Sequence, residues 1–244
     1  MQLRPNERID DLQRGGLRLI QRTDAFRFGT DTVLLCHFAG PRRNDRLCDL
    51  GTGTGVIPLL LYARENTLTA DALEIQPDMA EMAARSVEMN GLSHVIHVHA
   101  GDLRQVRDLL PHAAYTLVTC NPPYGRMGDT LLNPDPSKRL ARHDQTCTLQ
   151  DISAAARWLL HNGGRFCVML PAPRLLELAD TLRNYRLEPK RLRLVHSNAL
   201  KPAHLCLVEA VLDARPGLVI EPPLIIYGSD GQYTDELRQI YTPA

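Results

Sequence analysis

The chain has 244 residues, 44% of them hydrophobic, with 28 basic and 28 acidic side chains and a formal net charge of zero. That length suits one large domain or two small ones. The neutral balance excludes a polyanionic partner held by global charge, so any nucleic-acid contact must come from a local patch.

Six cysteines (Cys36, Cys48, Cys120, Cys147, Cys167, Cys206) stand singly, with no Cys-x-x-Cys pair. They read as buried thiols rather than zinc ligands or disulfides, and no metal is expected. The opening MQLRPNERIDDLQ is too charged for a signal peptide, and no apolar run reaches membrane-spanning length. The expectation is a cytoplasmic protein with no membrane partner, and a monomer.

LQRGGLRLIQR (Leu12–Arg22) predicts a hairpin turning at Gly15-Gly16. Gly29–Gly40 predicts a helix with Thr30 or Asp31 as N-cap and Gly40-Pro41 as stop. Strands and helices then alternate. Arg46–Gly51 reads as strand, Val56–Arg64 as helix, Leu68–Ile75 as strand. Pro77–Gly91 is a helix with proline in its first turn and Asn90-Gly91 at its end. His94–Asp102 is a strand, Leu103–Leu110 a short helix, Thr116–Cys120 a buried strand. A helix over Asp151–Leu160 closes at Asn162-Gly163-Gly164. The strand Arg165–Leu170 and the helix Arg174–Tyr185 follow. Two strands near Arg191–His196 and Leu205–Leu212 suit a terminal antiparallel pair.

This alternation implies a mainly parallel sheet with helices on both faces. The expected layout is one domain: hairpin extension 1–28, core 29–212 and tail 213–244. Such sheets bind ligands at the carboxyl ends of their strands, near the switch in strand order. The first four strand ends all carry polar or glycine chemistry. They are Asp49-Leu50-Gly51-Thr52-Gly53-Thr54-Gly55, Glu74, Asp102, and Asn121-Pro122-Pro123-Tyr124.

Gly51, Gly53 and Gly55 lack the dinucleotide spacing, because the third glycine comes one residue early. Asp49 stands just ahead of them, where a carboxylate opposes a phosphate and suits a cation. S-adenosylmethionine carries a sulfonium and an ammonium group, so its methionine end fits. Glu74 is placed to bind both hydroxyls of an adenosine ribose, unless it is a solvated acid opening the next helix. Asp102 could accept from the adenine amino group, or cap the helix that follows it. Ile75 and Leu103 could sandwich the adenine, or belong to the core. The two prolines after Asn121 fix a rigid turn around one carboxamide and the Tyr124 phenol.

Asp-x-Gly-x-Gly-x-Gly, Glu74, Asp102 and Asn-Pro-Pro-Tyr together resemble a class I S-adenosylmethionine-dependent methyltransferase of the amino-methylating group. The resemblance covers about Phe26–Leu212. It implies a Rossmann-like α/β fold with a seven-stranded, mainly parallel sheet and a terminal antiparallel strand. FRFGTDTVLL (Phe26–Leu35) resembles the extra cofactor-binding segment of that group, implicating Phe28 and Thr30. Asn121 would then adjoin the cofactor as well as the substrate.

An exocyclic amino nitrogen is a poor nucleophile, because its lone pair is delocalised into the ring. Asn121 Oδ1 and the Pro122 carbonyl would accept its two N–H bonds and free that lone pair. Tyr124 would offer a stacking face. Related enzymes use this motif on adenine N6, on guanine N2 of ribosomal RNA, and on the glutamine amide of release factors. The glutamine enzymes carry a helical domain ahead of the cofactor motif, where residues 1–48 read as hairpin plus helix. The guanine enzymes usually end the motif in phenylalanine. NERIDDLQRGGLRLIQ, FRFGTDTVLL, CNPPY and IYGSDGQYTDELRQIY together resemble the adenine N6-methyltransferases of the tRNA(Val) anticodon loop. That likeness implies a tRNA partner and adenine 37 as target.

The long stretch after Tyr124 carries Arg126, Lys138, Arg139, Arg142 and His143, expected to meet phosphates and close over a flipped base. Lys190, Arg191, Arg193 and Lys201 form a possible second footprint; a solvated charged face is the alternative. Trp158 reads as core. His94, His97 and His99 read as solvent-facing side chains without an acidic partner.

Overall fold

The computed structural model describes residues 3–23, 29–122 and 147–241. It opens on a hairpin in which β1 (Glu7–Asp11) pairs antiparallel with β2 (Arg18–Arg22). The hairpin starts earlier than its turn signal suggested, because Glu7 is held by two hydrogen bonds from Arg85. Leu19 and Ile20 are fully buried, and the Ile20 amide donates to Ser86 Oγ at 3.0 Å.

Next come α1 (Thr30–Ala39), β3 (Arg46–Leu50), α2 (Val56–Arg64), β4 (Thr69–Glu74), α3 (Pro77–Met89) and β5 (Ile96–Ala100). A 3-10 turn at Leu103–Gln105 leads into α4 (Val106–Leu109), then β6 (Tyr115–Cys120). After residue 147 the order is α5 (Leu149–Leu159), β7 (Leu160–Pro171), α6 (Leu175–Asn184), β8 (Leu187–His196) and β9 (Ala203–Leu212). Two short strands, β10 (Val219–Ile220) and β11 (Leu224–Ile225), precede α7 (Asp235–Tyr241).

The main sheet runs β5-β4-β3-β6-β7-β9-β8, then β10, with β11 also on β8. Only β9 is antiparallel to its neighbours. The sheet has nine strands rather than seven, because the tail adds β10 and β11 at its edge. Alternation along β3 and β6 splits the core. Leu47 and Leu117 pack with α1, α2, α3 and α7. Cys48, Leu50, Val118 and Cys120 pack with α4, α5 and α6. Strand order reverses between β3 and β6, so the crevice expected of an open α/β sheet lies above those two strands.

Three local expectations change. The α1 N-cap is Gly29, not Thr30 or Asp31, and no side chain caps the helix. Asn162-Gly163-Gly164 does not end a helix in a loop; it lies inside β7. Pairing slips there from Tyr115↔Leu160 to Leu117↔Arg165. Gly163 takes φ +80°, and a Cβ on Gly164 would sit 2.9 Å from the His161 carbonyl, so the glycines permit a bulge. His99 has an acidic partner: its Nε2 lies 2.7 Å from Asp71 Oδ1, and Tyr115 donates to the other carboxylate oxygen. Trp158 is only partly buried against the second core, with its ring 4.4 Å from that of His112.

Among the described residues no helix is long and apolar enough to cross a membrane, and no group of three His, Cys, Asp or Glu is arranged for a metal ion.

Candidate active site at the strand tips

Leu50 of β3 is the register partner of Cys120 of β6. The residues after them, Gly51 and Asn121, therefore leave the sheet side by side. This places the glycine turn and the Asn-Pro turn at one crevice.

The turn folds back on the neighbouring strand, with the Gly51 and Thr52 amides both donating to the Leu73 carbonyl. Gly51 and Gly53 have φ of +71° and +58°, and a Cβ on either would project into open space. Gly55 differs: a Cβ there would meet Ala83 at 3.2 Å, so this glycine lets α3 pack against the start of α2.

Asp49 is fully buried. Its Oδ1 accepts from Thr119 Oγ1 at 2.6 Å. Its Oδ2 has no hydrogen-bond partner among the described residues, and neither has the buried Thr52 Oγ1. Burial pushes the Asp49 carboxyl up to about 7, with the nearby Glu74 charge adding to the rise and the neighbouring threonines opposing it. An orphaned buried carboxylate oxygen beside an open, Cβ-free cradle fits the cationic methionine end of S-adenosylmethionine.

Glu74 is buried at the tip of β4. Oε2 accepts from the Gly53 amide at 2.8 Å and Oε1 from the Gln76 amide at 2.9 Å. One carboxylate therefore ties the glycine turn to the second strand tip. Two oxygens offer about four acceptor sites in all, so ribose hydroxyls can still be accommodated. Ile75, next in sequence, is 41% exposed and presents an apolar surface at the crevice. Leu103 is half-buried. Asp102 caps the 3-10 turn by accepting from the Arg104 amide and also accepts from Arg104 Nε at 2.7 Å. The capping alternative is thus realised.

Asn121 is half-buried and Pro122 buried. The carboxamide donates from Nδ2 to Thr32 Oγ1 of α1 at 3.2 Å. Thr32, which the sequence reading did not single out, is buried; its only signal was its place in the segment ahead of the first core strand. Thr30 begins the same helix and accepts from Tyr241 Oη at 2.8 Å. Burial keeps the adjacent Cys120 thiol protonated. Phe28, Tyr124, Arg126, Lys138, Arg139, Arg142 and His143 lie outside the described residues.

The second basic cluster is not a free footprint. Lys190 donates to the Arg215 carbonyl. Arg191 pairs with Glu221 and Glu209, and its guanidinium lies over the Phe38 ring. Arg193 pairs with Glu236. Of this cluster, Lys201 alone is exposed.

The methyltransferase small domain family matches residues 23–187. The tRNA1(Val) (adenine(37)-N6)-methyltransferase of Parabacteroides distasonis is 35% identical over 169 residues, 68% of this chain and 69% of that protein. Its namesake in Pedobacter heparinus is 31% identical over 217 residues, covering 88% of each chain. That of Erwinia tasmaniensis is 32% identical over 215 residues, 86% of this chain and 84% of the other. A crystal structure described as a predicted O-methyltransferase of Agrobacterium tumefaciens superposes with a TM-score of 0.71 at 23% identity, covering 86% of this chain and 95% of that one; it shares the fold. The chain belongs to the methyltransferase small domain family, together with these adenine methyltransferases.

Proposed function

We propose that this protein transfers a methyl group from S-adenosylmethionine to the exocyclic N6 of an adenine in tRNA, adenine 37 in the anticodon loop of tRNA1(Val). The observation that carries the reading is the pairing of Leu50 with Cys120, which sets the Asn121 carboxamide beside the Gly51–Gly55 turn. The names of the relatives support the substrate.

When bound, S-adenosylmethionine supplies an electrophilic methyl group. The chain's task is then alignment. Gly51 and Gly53 leave room for the methionine portion, with Asp49 below; Glu74 and Ile75 hold the ribose and the adenine. With Nδ2 directed to Thr32, the Asn121 carboxamide turns its oxygen toward a donor. It accepts one N–H of the target amino group, and the Pro122 carbonyl accepts the other. Both contacts draw the nitrogen toward tetrahedral geometry and localise its lone pair. Tyr124 stacks on the base, and bulk solvent takes the proton. A tRNA substrate also implies a cytoplasmic protein.

The test is incubation with labelled S-adenosylmethionine and unmodified total tRNA, followed by mass mapping of the product nucleoside. N6-methyladenosine next to the anticodon is expected. Label in protein, or in guanine, would overturn the assignment.

A further inference from the structure

The tail carries a feature that methyl transfer itself does not use. Tyr227 and Tyr233 form an antiparallel bridge across a tight turn closed by Gly228 N–H to the Gln232 carbonyl at 2.8 Å. Their rings stack at 5.3 Å between centroids. Tyr233 in turn stacks on Tyr241 at 6.1 Å with planes 6° apart. The turn is fastened to the sheet at both sides, by Tyr227 N–H to the Ser197 carbonyl and by Thr234 Oγ1 to the Ile225 carbonyl. Tyr227 and Tyr233 are nonetheless each 41% exposed. Leu200, 96% exposed, and Lys201 stand on the β8–β9 loop beside them.

This ladder lies on the crevice side of the molecule. It rises from the carboxyl end of β8, which points the same way as β3 and β6. Its inner ring, Tyr241, donates to Thr30, two residues before Thr32, which receives the Asn121 carboxamide. An aromatic stack that packing and backbone hydrogen bonds already hold in place loses little entropy when a further ring joins it. Asp235 and Glu236 beside the ladder pair with Arg238 and Arg193, so its surroundings carry no surplus of positive charge. Tyr227 stands at the end of the ladder with Tyr233 stacked beside it, and an exposed end ring without surplus positive charge suits an unpaired nucleobase, which any aromatic ring can accept.

We propose that the Tyr227–Tyr233 pair is a stacking platform for unpaired bases of the tRNA loop that flank the methylated adenine. The proposal rests on the tRNA reading above and adds a second contact to it.

The experiment compares the full-length protein with Tyr227→Leu/Tyr233→Leu and with Tyr227→Phe/Tyr233→Phe, on unmodified tRNA. The Leu pair is expected to raise KM for tRNA roughly 10-fold or more and leave kcat within about twofold. The Phe pair is expected to restore KM, because the ring face and not the hydroxyl makes the contact. The dependence of KM on salt keeps the wild-type slope, since no phosphate contact is lost. S-adenosylhomocysteine binding and Tm report on integrity, and Tyr227→Leu alone serves if the double variant does not fold. A Leu pair with wild-type KM, or a Phe pair as impaired as the Leu pair, overturns the platform. A wild-type protein that methylates no tRNA overturns the substrate reading itself, and the platform with it.

Discussion

Asn121 and Thr32, far apart in sequence, meet at 3.2 Å with the carboxamide nitrogen as donor. An asparagine side chain presents an oxygen and an amino group that are nearly the same shape. Only the oxygen can accept from a substrate amino group. In the structure Thr32 takes the amino end, and the proposed reading turns the oxygen to the substrate. Asn121→Ala should abolish turnover by orders of magnitude while leaving cofactor affinity within a few-fold. Thr32→Val keeps the shape of the side chain and removes its oxygen. It should cut kcat about 5-fold, with KM for tRNA nearly unchanged, since one neutral hydrogen bond is worth about 1 kcal/mol. Single-turnover methyl transfer reads both, and full activity in Thr32→Val would show that the contact does not orient the carboxamide.

In the proposed site, burial of Asp49 would make cofactor binding sensitive to pH. Burial raises its carboxyl from the ordinary 3.8 to about 7. The folded chain therefore keeps a proton that the unfolded chain has released. Its contribution to stability is complete below about pH 4 and is lost as pH rises through about 7. A cationic ligand favours the ionised form, so the linkage of binding runs the other way. S-adenosylmethionine should bind more tightly at about pH 8 than at about pH 6, with proton release near pH 6. Asp49→Asn should flatten this dependence and weaken binding at about pH 8; the ligand's own titration cancels in the comparison. Calorimetry in buffers of different ionisation heat measures both terms. Equal pH dependence in the two proteins would remove Asp49 from the site.

The alternation of strand and helix was readable because each element carries its own apolar period and its own Gly or Pro punctuation. The glycine turn and Asn121 were readable for the same reason, as each closes a local strand. What could not be read depends on register between distant segments. Thr119 meets Asp49 only because β3 and β6 are neighbours with that particular pairing, and Thr32 meets Asn121 only because α1 packs over them. Arg191 and Arg193 looked like surface charge because their partners, Glu209, Glu221 and Glu236, lie on other elements. Val219–Ile220 and Leu224–Ile225 are two-residue strands, too short for any periodic signal.

Glu74 tests whether one carboxylate organises the cradle. Its two oxygens take amides from Gly53 and Gln76. In Glu74→Gln one of those amides would face an NH2 group instead of an oxygen. Both amides are only part-buried, so the cost lies toward the lower end of about 1–3 kcal/mol, and both Tm and S-adenosylhomocysteine affinity should fall, the latter about 5-fold or more. Ile75→Ala supplies the contrast. Ile75 is 41% exposed, so its loss should weaken cofactor binding while leaving Tm nearly unchanged. Thermal melts paired with calorimetry separate the two, and a Glu74→Gln protein that binds like wild type would place the ribose elsewhere.

Arg165 acts at the opposite end of the molecule from the crevice. Its side chain is 5% exposed, 2.9 Å from Asp45 and 3.3 Å from Glu209, and it donates to the Ala39 carbonyl at 2.7 Å. It thereby anchors the carboxyl end of α1, the helix whose other end carries Thr30 and Thr32, about 15 Å away for ten residues. Arg165→Met fills similar volume but leaves Asp45 buried without its ion-pair partner and Glu209 with Arg191 alone. Removing one member of a buried pair costs about 3–5 kcal/mol, so urea unfolding should show a loss near the lower figure. The kcat of the folded fraction should stay near wild type, because the residues proposed for methyl transfer are untouched. A loss under about 1 kcal/mol, far below that range, would mean that the Arg165 ion pairs do not hold this end of the sheet together.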